Sequence, residues 1–167
     1  MTIRIRAARG ADAALILAFI RELAAYEKLG GEVTATEDLL RKTLFEPDAT
    51  AGTLIAEDDG QPAGFALFFH NYSTFLARPG IYLEDLFVRP EFRGRGIGRA
   101  LLAHIARLAR ERNCGRVEWS VLDWNEPAIR FYRSLGAVPM DQWTVFRLTG
   151  NSINTLADAA LPDPGED

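Results

Sequence analysis

Two neighbouring acids stand inside an otherwise apolar stretch of this chain. Glu84 and Asp85 interrupt the run Tyr-Leu-Glu-Asp-Leu-Phe-Val at residues 82–88. Carboxylates are costly to bury unless they are paired, so at least one of the two is predicted to take part in chemistry. If the run is a strand, strict alternation directs the two side chains to opposite faces. A carboxylate in such a place can act as a general base.

A turn rich in arginine and glycine follows directly, and it consists of Arg93, Gly94, Arg95, Gly96, Ile97, Gly98 and Arg99. The turn joins a predicted strand to a predicted helix, where free N–H groups and the positive end of the helix dipole attract anions. Glycines let the backbone approach a phosphate closely, and Arg95 or Arg99 can add charge-assisted hydrogen bonds. The turn is therefore predicted to bind a phosphate group.

Two better-known phosphate motifs do not fit this turn. A P-loop requires Lys followed by Ser or Thr after its second glycine, and neither residue is present. A dinucleotide fingerprint requires GxGxxG, whereas the glycines here fall at 94, 96 and 98. Glu118 stands about where a ribose-binding acid would be expected, but the glycine spacing excludes that motif.

The elements that position these residues follow from hydrophobic periodicity and turn signals. Strands are predicted around residues 3–5, 53–57, 63–69, 81–88, 117–121 and 145–148. Helices are predicted from Asp12 to the Gly30-Gly31 pair, from a Thr34/Glu37 capping box to Pro47, from the glycine turn to Gly115, and from Pro127 to Gly136. This order predicts an α/β or α+β fold with a central mixed sheet.

Composition narrows the classes of function. The chain has 167 residues and 48% hydrophobic residues, which suits one globular domain. Its net charge of -4 favours a small cationic substrate over nucleic acid or an anionic membrane. One cysteine and two distant histidines predict no metal site and no disulfide. With no apolar run of membrane-spanning length, the cytoplasm is the expected compartment.

The motif RxxGxG at residues 93–98, preceded by Val-Arg-Pro-Glu-Phe and followed by Asn-Glu-Pro-Ala-Ile at 125–129 and Phe-Tyr at 131–132, resembles the GNAT superfamily of N-acetyltransferases. Within it, residues 23–27, 82–88, 124–127 and 130–132 are most similar to diamine acetyltransferases, the spermidine/spermine and thialysine enzymes. The resemblance implies a mostly antiparallel sheet with helices on both faces. It implies one domain over residues 1–150, and residues 151–167 are predicted to be a loosely ordered tail.

The resemblance also implies acetyl-CoA as the co-substrate. The strands at 84–88 and 117–121 are expected to splay apart and admit the pantetheine arm, with backbone contacts from Leu86, Phe87 and Val88. The pyrophosphate is expected at the turn from Arg93 to Arg99. Further cofactor contacts are implied for Asn125, Pro127, Ala128 and Tyr132.

Roles for the remaining site residues follow from the same resemblance. Glu84 matches the family's acid and is the candidate base, whereas Asp85 is expected to be a salt-bridged structural carboxylate. Tyr132 matches the family's proton donor to the departing thiolate. Substrate contacts are implied for Tyr26, Glu27, Glu84, Glu118, Trp119, Ser120 and Asp141, and a homodimer is implied.

Three functions remain open from the sequence. The leading one is transfer of acetyl to a primary amine of a small polyamine or lysine-like molecule, by direct attack in a ternary complex. The second is acetylation of a protein N-terminus or lysine. The third is a CoA-binding sensor without catalysis, which the joint presence of Glu84 and Tyr132 disfavours.

Overall fold

The computed structural model describes residues 1–161 and arranges five strands and five α-helices along them. The strands are β1 (Ile3–Ala7), β2 (Ala51–Asp58), β3 (Gln61–Ser73), β4 (Arg78–Val88) and β5 (Val117–Trp119). The α-helices are α1 (Ala13–Tyr26), α2 (Glu37–Phe45), α3 (Ile97–Glu111), α4 (Glu126–Ser134) and α5 (Asn151–Ala157), with short 3-10 turns at Gly10–Asp12, Gly30–Glu32 and Pro90–Phe92. Contacts between residues divide the chain into a first unit, Met1–Trp124, and a second that begins at Asn125.

The five strands form one sheet in the order β1-β2-β3-β4-β5. Each pair is antiparallel except β4 with β5, which is parallel. The parallel pair arises because α3 carries the chain back along the sheet before β5 begins. The predicted mixed and mostly antiparallel sheet is confirmed.

Stacked aromatic rings form the centre of the face that α1 and α2 cover. Phe19 of α1 lies 5.3 Å from Phe65 of β3 with the rings nearly parallel, and 6.4 Å from Phe87 of β4 edge-on. The same buried cluster contains Ile16, Leu17, Leu23, Leu40 and Ile55. Each such side chain contributes roughly 1.5–3 kcal/mol by its burial.

Helix α3 covers the other face. Alternation along β3 directs Ala66 and Phe68 away from the Phe19 cluster, and both are buried. Arg112, the C-cap of α3, lies over the ring of Phe68 at 5.7 Å. The buried side chains of α3 are Ile97, Leu101, Leu102, Ile105 and Ala109. Helices therefore pack on both faces of the sheet, as predicted.

Arg89 joins the end of β4 to α1. Its guanidinium donates to both carboxylate oxygens of Glu22, at 2.9 and 2.8 Å, and to the carbonyl oxygen of Pro62 at 3.0 Å. It also lies 4.7 Å above the ring of Phe19. Bidentate arginine pairs restrict both distance and orientation. The end of α1 and the end of β4 are thus held together by a directional contact as well as by the apolar core.

Two predicted helix ends are wrong by a few residues. Helix α1 ends at Tyr26, and Lys28 adopts the left-handed conformation with φ of 61° where the Gly30-Gly31 pair was expected to end the helix. Helix α2 is capped by Thr36, whose hydroxyl accepts from the backbone N–H of Leu39 at 3.3 Å, and not by Thr34. Both Thr34 and Thr36 suit an N-cap, and only backbone geometry decides between them.

The predicted strand at residues 145–148 is wrong, because the described part of the second unit contains helices and loops without a strand. Its β-branched and aromatic residues favour a strand, but a strand needs a neighbour to complete its ladder. The segment expected to be loosely ordered contains α5, whose side chains are all exposed. Residues 162–167 of that predicted tail lie outside the described residues.

Candidate active site

Strand β4 contains one residue more than its partner β3. In the register, Leu67 lies opposite Asp85 and Phe68 lies opposite Leu83, so Glu84 has no partner. A bulge of this kind inserts one residue and re-aims the side chains that follow it. Opposed residues share a face, so Asp85 lies on the α1 side with Leu67, which packs against the Phe19 cluster. Leu83 lies on the α3 side with Phe68. Without the bulge, Asp85 and Leu83 would share one face.

The pairing of β4 with β5 ends at the same point. It comprises Ile81 with Val117, Tyr82 with Glu118 and Leu83 with Trp119. Beyond Leu83, the register of the described strands pairs β4 with β3 alone. The backbone of residues 84–88 therefore forms an open sheet edge. The splay between strands at 84–88 and 117–121 stays a prediction, because β5 ends at Trp119. The predicted cofactor residues Leu86, Phe87 and Val88 lie on this edge.

Three carboxylates lie near the bulge. Asp85 is mostly buried, and this burial, followed by the negative charges of Glu84 and Glu27, raises its pKa from the ordinary 3.8 to about 6. Burial also raises the pKa of Glu27, which is the C-cap of α1. Glu84 is exposed. Within residues 1–161 no arginine or lysine lies in ion-pair range of Asp85, so the structural salt bridge expected there is absent. The sequence analysis favoured Glu84 as the base and a structural role for Asp85, and burial without an ion pair makes Asp85 a second candidate.

Cations and aromatic rings surround the end of α1. The guanidinium of Arg93 lies 4.7 Å from the ring centre of Tyr26, and the ammonium of Lys28 lies 4.9 Å from that of Trp124. The rings of Tyr26 and Trp124 are 6.1 Å apart. Cations over aromatic faces are held by the ring quadrupole. Tyr26 and Glu27 therefore stand together, with two positive charges nearby.

Arg93 also reaches the free edge of β4. Its Nε donates to the carbonyl oxygen of Val88 at 2.9 Å. The side chain predicted to bind the cofactor thus runs from the phosphate turn towards Tyr26, and its backbone stays in the turn. A single residue joins the predicted cofactor and substrate regions.

The phosphate turn has an open backbone. Gly94 and Gly96 adopt positive φ angles of 75° and 84°, and nothing lies within 4 Å of where a Cβ would stand on either. Gly96 is the N-cap of α3 and offers no side chain, so the first N–H groups of the helix, from Ile97 to Arg99, receive no side-chain cap. The chemistry of this turn fits a pyrophosphate, because its helix N–H groups receive no side-chain cap and its glycines leave room for close approach.

The two arginines that were expected to assist the turn differ. Arg99 is exposed and takes part in no ion pair with any described residue. Arg95 donates from its NH1 to Asp58 Oδ2 at 3.0 Å, and the side chain of Asp58 is only 2% exposed. Arg95 is thus occupied by a buried partner from the end of β2, which nothing in the sequence indicated.

Three predicted substrate residues lie at the end of β5 and directly after it, and each contacts the sheet: Glu118, Trp119 and Ser120. Glu118 accepts from Arg116 Nε at 2.8 Å and from Asn71 Nδ2 at 3.1 Å, so its negative charge is compensated within the protein. The hydroxyls of Ser120 and Tyr82 are 2.7 Å apart. Trp119 lies opposite Leu83 at the last pair of the ladder. These contacts hold the end of β5 beside the bulge.

The remaining predicted residues lie in the second unit. Asn125 is the N-cap of α4 and accepts from the N–H of Ala128 at 3.4 Å, with Pro127 in the first turn. Tyr132 lies on α4 with its ring 5.6 Å from that of Phe131, and Asp141 is exposed. The boundaries and capping of α4 match the prediction, whereas the roles of these five residues stay predictions.

The described residues contain neither a cluster of metal-ligating side chains nor a membrane-spanning helix. Within residues 1–161 no three His, Cys, Asp or Glu side chains are grouped so as to hold a metal ion. In the same part of the chain, no helix combines the length and apolar character needed to cross a bilayer.

Comparison with known proteins gives concordant matches. A model of the Acetyltransferase (GNAT) family matches residues 17–137. A thialysine N-epsilon-acetyltransferase of Bos taurus is 38% identical over an alignment covering 93% of this chain and 97% of the relative. An L-ornithine N5-acetyltransferase of Arabidopsis thaliana is 34% identical, covering 92% and 87%. The solved structure of an integron cassette protein from the mobile metagenome of V. cholerae has a TM-score of 0.79 at 28% identity, covering 95% and 99%. With its bulged strand, open sheet edge and uncapped glycine turn, the chain belongs to the GNAT family and is an acetyltransferase.

Proposed function

We propose that this enzyme transfers acetyl from acetyl-CoA to the distal amine of a small lysine-like diamino acid, with linear polyamines as a second substrate class. The observation that carries the proposal is a cluster of three carboxylates, Asp85, Glu84 and Glu27, beside the open edge of β4. Uncompensated carboxylates attract an alkylammonium ion. The net charge of -4 acts in the same direction.

The cofactor side of the proposal uses backbone groups. The N–H groups of residues 94–99 would hold the pyrophosphate, and the edge formed by Leu86, Phe87 and Val88 would hold the pantetheine arm. Asn125, Pro127 and Ala128 are proposed as further contacts from α4. Acetyl-CoA supplies the activated acetyl thioester. The chain's own residues orient it, bind the amine and move protons, and we propose that both substrates are bound together when the amine attacks.

A proton acceptor is needed because the amine arrives charged. An alkylamine with a pKa of about 10.4 is protonated at pH 7, and removing that proton costs roughly 4.6 kcal/mol. Glu84 is the acceptor that the sequence analysis favoured. Asp85 is a stronger base than an ordinary aspartate, because burial and the neighbouring negative charges raise its pKa. We therefore propose that Glu84 and Asp85 together accept the proton of the amine, with Asp85 as the more buried of the two.

The residues around Glu27 favour an amino acid end group. An α-amino acid carries an ammonium and a carboxylate on one carbon, so its site needs both signs of charge. Glu27 supplies the negative charge, and Lys28 and Arg93 lie over the adjoining aromatic rings with positive charges. A polyamine, which carries no carboxylate, would use Glu27 alone. Thialysine and L-ornithine, for which two relatives are named, have the amino acid end group.

Tyr132 is proposed as the acid that protonates the departing thiolate. A phenol with a pKa near 10 can donate such a proton. Its place in α4, seven residues after the cap Asn125, supports the match to the family pattern.

A homodimer is proposed for the assembly. The second unit exposes large apolar side chains over residues 138–148, among them Trp143 at 76%, Val145 at 80% and Phe146 at 91%. Large exposed apolar patches mark interaction sites in soluble proteins, and this run of exposed apolar residues is the candidate interface. A second copy of this chain is the proposed partner, in accord with the resemblance to diamine acetyltransferases. The single cysteine also favours a reducing compartment such as the cytoplasm.

The substrate class is tested by two variants next to each other. Glu27→Gln is expected to raise the apparent KM of lysine-like amino acids and of diamines about tenfold, with a much smaller effect on a monoamine. Lys28→Gln should raise the KM of the amino acids alone, because only they carry a carboxylate. CoA release would be measured with lysine analogues, ornithine, diamines, polyamines, a monoamine and peptides. Equal changes for all substrates would refute the two-charge site, and turnover of peptides alone would point to protein acetylation.

The base is tested by pH. In the wild type, kcat/KM should fall about tenfold per pH unit below about 6, where Asp85 takes up a proton. Asp85→Asn should lose this acid limb and recover part of its rate at alkaline pH, where neutral amine is supplied directly. If Asp85→Asn keeps the limb and Glu84→Gln loses it, Glu84 alone is the base. Asp48→Asn, on an exposed loop, is the matched control.

Asp85→Asn should also change the stability of the folded protein, and the direction depends on pH. Because the pKa of Asp85 is raised in the folded state, its contribution to stability is present below pH 4 and is lost as the pH rises towards 6. Asp85→Asn should therefore gain in melting temperature relative to the wild type between pH 4 and pH 7. A constant difference across this range would contradict the burial of the charged group.

The acid is tested by Tyr132→Phe, which removes the hydroxyl and keeps the ring. We expect kcat to fall by ~100-fold with little change in acetyl-CoA affinity. The loss should shrink with acetyl donors whose thiols are more acidic, since these leave without help. Tyr72→Phe, at an exposed position of β3, should behave as the wild type. Wild-type turnover by Tyr132→Phe with every amine would make this tyrosine a packing residue.

The assembly is tested by sedimentation. The wild type should have the mass of two chains at micromolar concentration, and Trp143→Ser combined with Phe146→Ser should have the mass of one. Leu39→Ser, which alters an exposed leucine of α2, should leave the wild-type mass unchanged. A monomeric wild type would refute the dimer.

A further inference from the structure

In the predicted phosphate turn, residues 93–99, one arginine lies between two glycines of left-handed backbone conformation. Gly94 and Gly96 flank Arg95, and both adopt the left-handed region with open space around them. Glycine has the largest backbone freedom of any residue, so such a turn samples many conformations unless something restrains it. A restraint on Arg95 would therefore limit the conformations that the backbone N–H groups of the turn can adopt.

The restraint is a buried carboxylate from a distant part of the chain. Asp58 ends β2, and its side chain is 2% exposed. Its Oδ2 accepts from Arg95 NH1 at 3.0 Å, whereas its Oδ1 is buried without a hydrogen-bond partner among the described residues. The guanidinium of Arg95 also lies 5.4 Å from the ring centre of Phe92, the last residue of the 3-10 turn at Pro90–Phe92.

Because Asp58 is buried, the stability of the folded chain depends on its contact with Arg95. A buried carboxylate is tolerated only when a cation compensates it, and loss of that cation leaves an unpaired charge. Arg95 therefore stabilises the folded chain only in the conformation in which the turn lies against the end of β2. A side chain held in this way organises the backbone donors before the ligand arrives, which lowers the entropy lost on binding.

We propose that Asp58 is a positioning residue for the acetyl-CoA pyrophosphate, acting through Arg95. The inference rests on the proposed function, in which residues 94–99 hold that pyrophosphate. Arg95 serves the ligand by holding the turn and by neutralising Asp58, whose charge would otherwise repel an anion at the turn. Arg99, which is exposed and has no ion pair among the described residues, is left to meet the phosphates directly.

The alternative is that Arg95 leaves Asp58 and binds the phosphate itself. The two arrangements make opposite predictions for one variant. If Arg95 is a direct ligand, Asp58→Asn frees it and leaves CoA affinity unchanged or improved. If Asp58 positions the turn, Asp58→Asn weakens CoA binding even though it removes a negative charge from the neighbourhood of an anion.

The experiment measures CoA affinity by calorimetry in the full-length protein. We expect the Kd to rise ~10-fold for Asp58→Asn and more for Arg95→Ala, which leaves Asp58 charged and unpaired. The double variant Asp58→Asn/Arg95→Ala should bind CoA better than Arg95→Ala alone, because the repelling charge is gone. Arg95→Lys should retain part of the affinity. The KM of the amine should not change, and amide hydrogens of residues 94–99 should exchange faster in Asp58→Asn.

Controls separate this inference from the function on which it rests. Asp48→Asn removes an exposed acid and should bind CoA as the wild type does. Gly96→Val places a side chain into the turn and should abolish CoA binding. If Gly96→Val binds normally, the turn is not the pyrophosphate site, and both proposals fail. If Gly96→Val loses CoA while Asp58→Asn retains it, or if the double variant is no better than Arg95→Ala, only the positioning role is overturned. Melting temperatures show whether each variant is folded. If Arg95→Ala is unstable, the CoA affinity of Arg95→Lys is compared with that of the wild type instead.

Discussion

One extra residue in β4 determines the character of this site. Because Glu84 has no partner in β3, every residue after it lies on the face opposite to the one that alternation from Leu83 would give. Asp85 is thereby directed to the α1 side, towards the end of that helix and Glu27. The same bulge coincides with the last pair between β4 and β5, so the ladder stops where the carboxylates begin. The candidate carboxylates and the open strand edge therefore meet at one irregularity of the sheet.

The energetic cost of this arrangement is visible in the residues around it. Asp85 keeps a carboxyl group in a largely buried place without an ion pair among the described residues, and burial raises its pKa towards neutrality. Lys28 holds a left-handed backbone conformation that side chains seldom adopt. The stacked core of Phe19, Phe65 and Phe87, with the bidentate pair of Arg89 and Glu22, stabilises the same end of the sheet. Strain at a functional site is tolerated where the surrounding packing is this specific.

Charge separates the two ends of the site. Among residues 1–161, the carboxylates at the bulge form no ion pair, which suits a cation. At the predicted phosphate turn, Arg95 neutralises Asp58, and the first N–H groups of α3 receive no side-chain cap. Glu118 on β5 is neutralised by Arg116 in the same way. In the proposed function the enzyme holds an anionic cofactor and a cationic amine, and this selective pairing of acids would provide an environment for each.

The residues by themselves determined most of the architecture and the identity of the motifs. Period-two and helical patterns predicted nearly every strand and helix of the first unit, since local periodicity reports which face is buried. The glycine turn was recognisable because its spacing excludes the other phosphate motifs. The strand at residues 145–148 was predicted wrongly, because strand propensity without a neighbouring strand is no guarantee of a ladder.

The tertiary structure alone determined how distant segments of the chain contact one another. The choice between Glu84 and Asp85 depends on a bulge, and a bulge is a mismatch between two strands that neither sequence segment reveals alone. The pairing of Arg95 with Asp58 joins residues 37 positions apart, and the cap of α2 at Thr36 in place of Thr34 depends on backbone angles. Sequence spacing specifies which chemical groups are available, whereas burial and charge compensation, which arise only on folding, decide which of them are reactive.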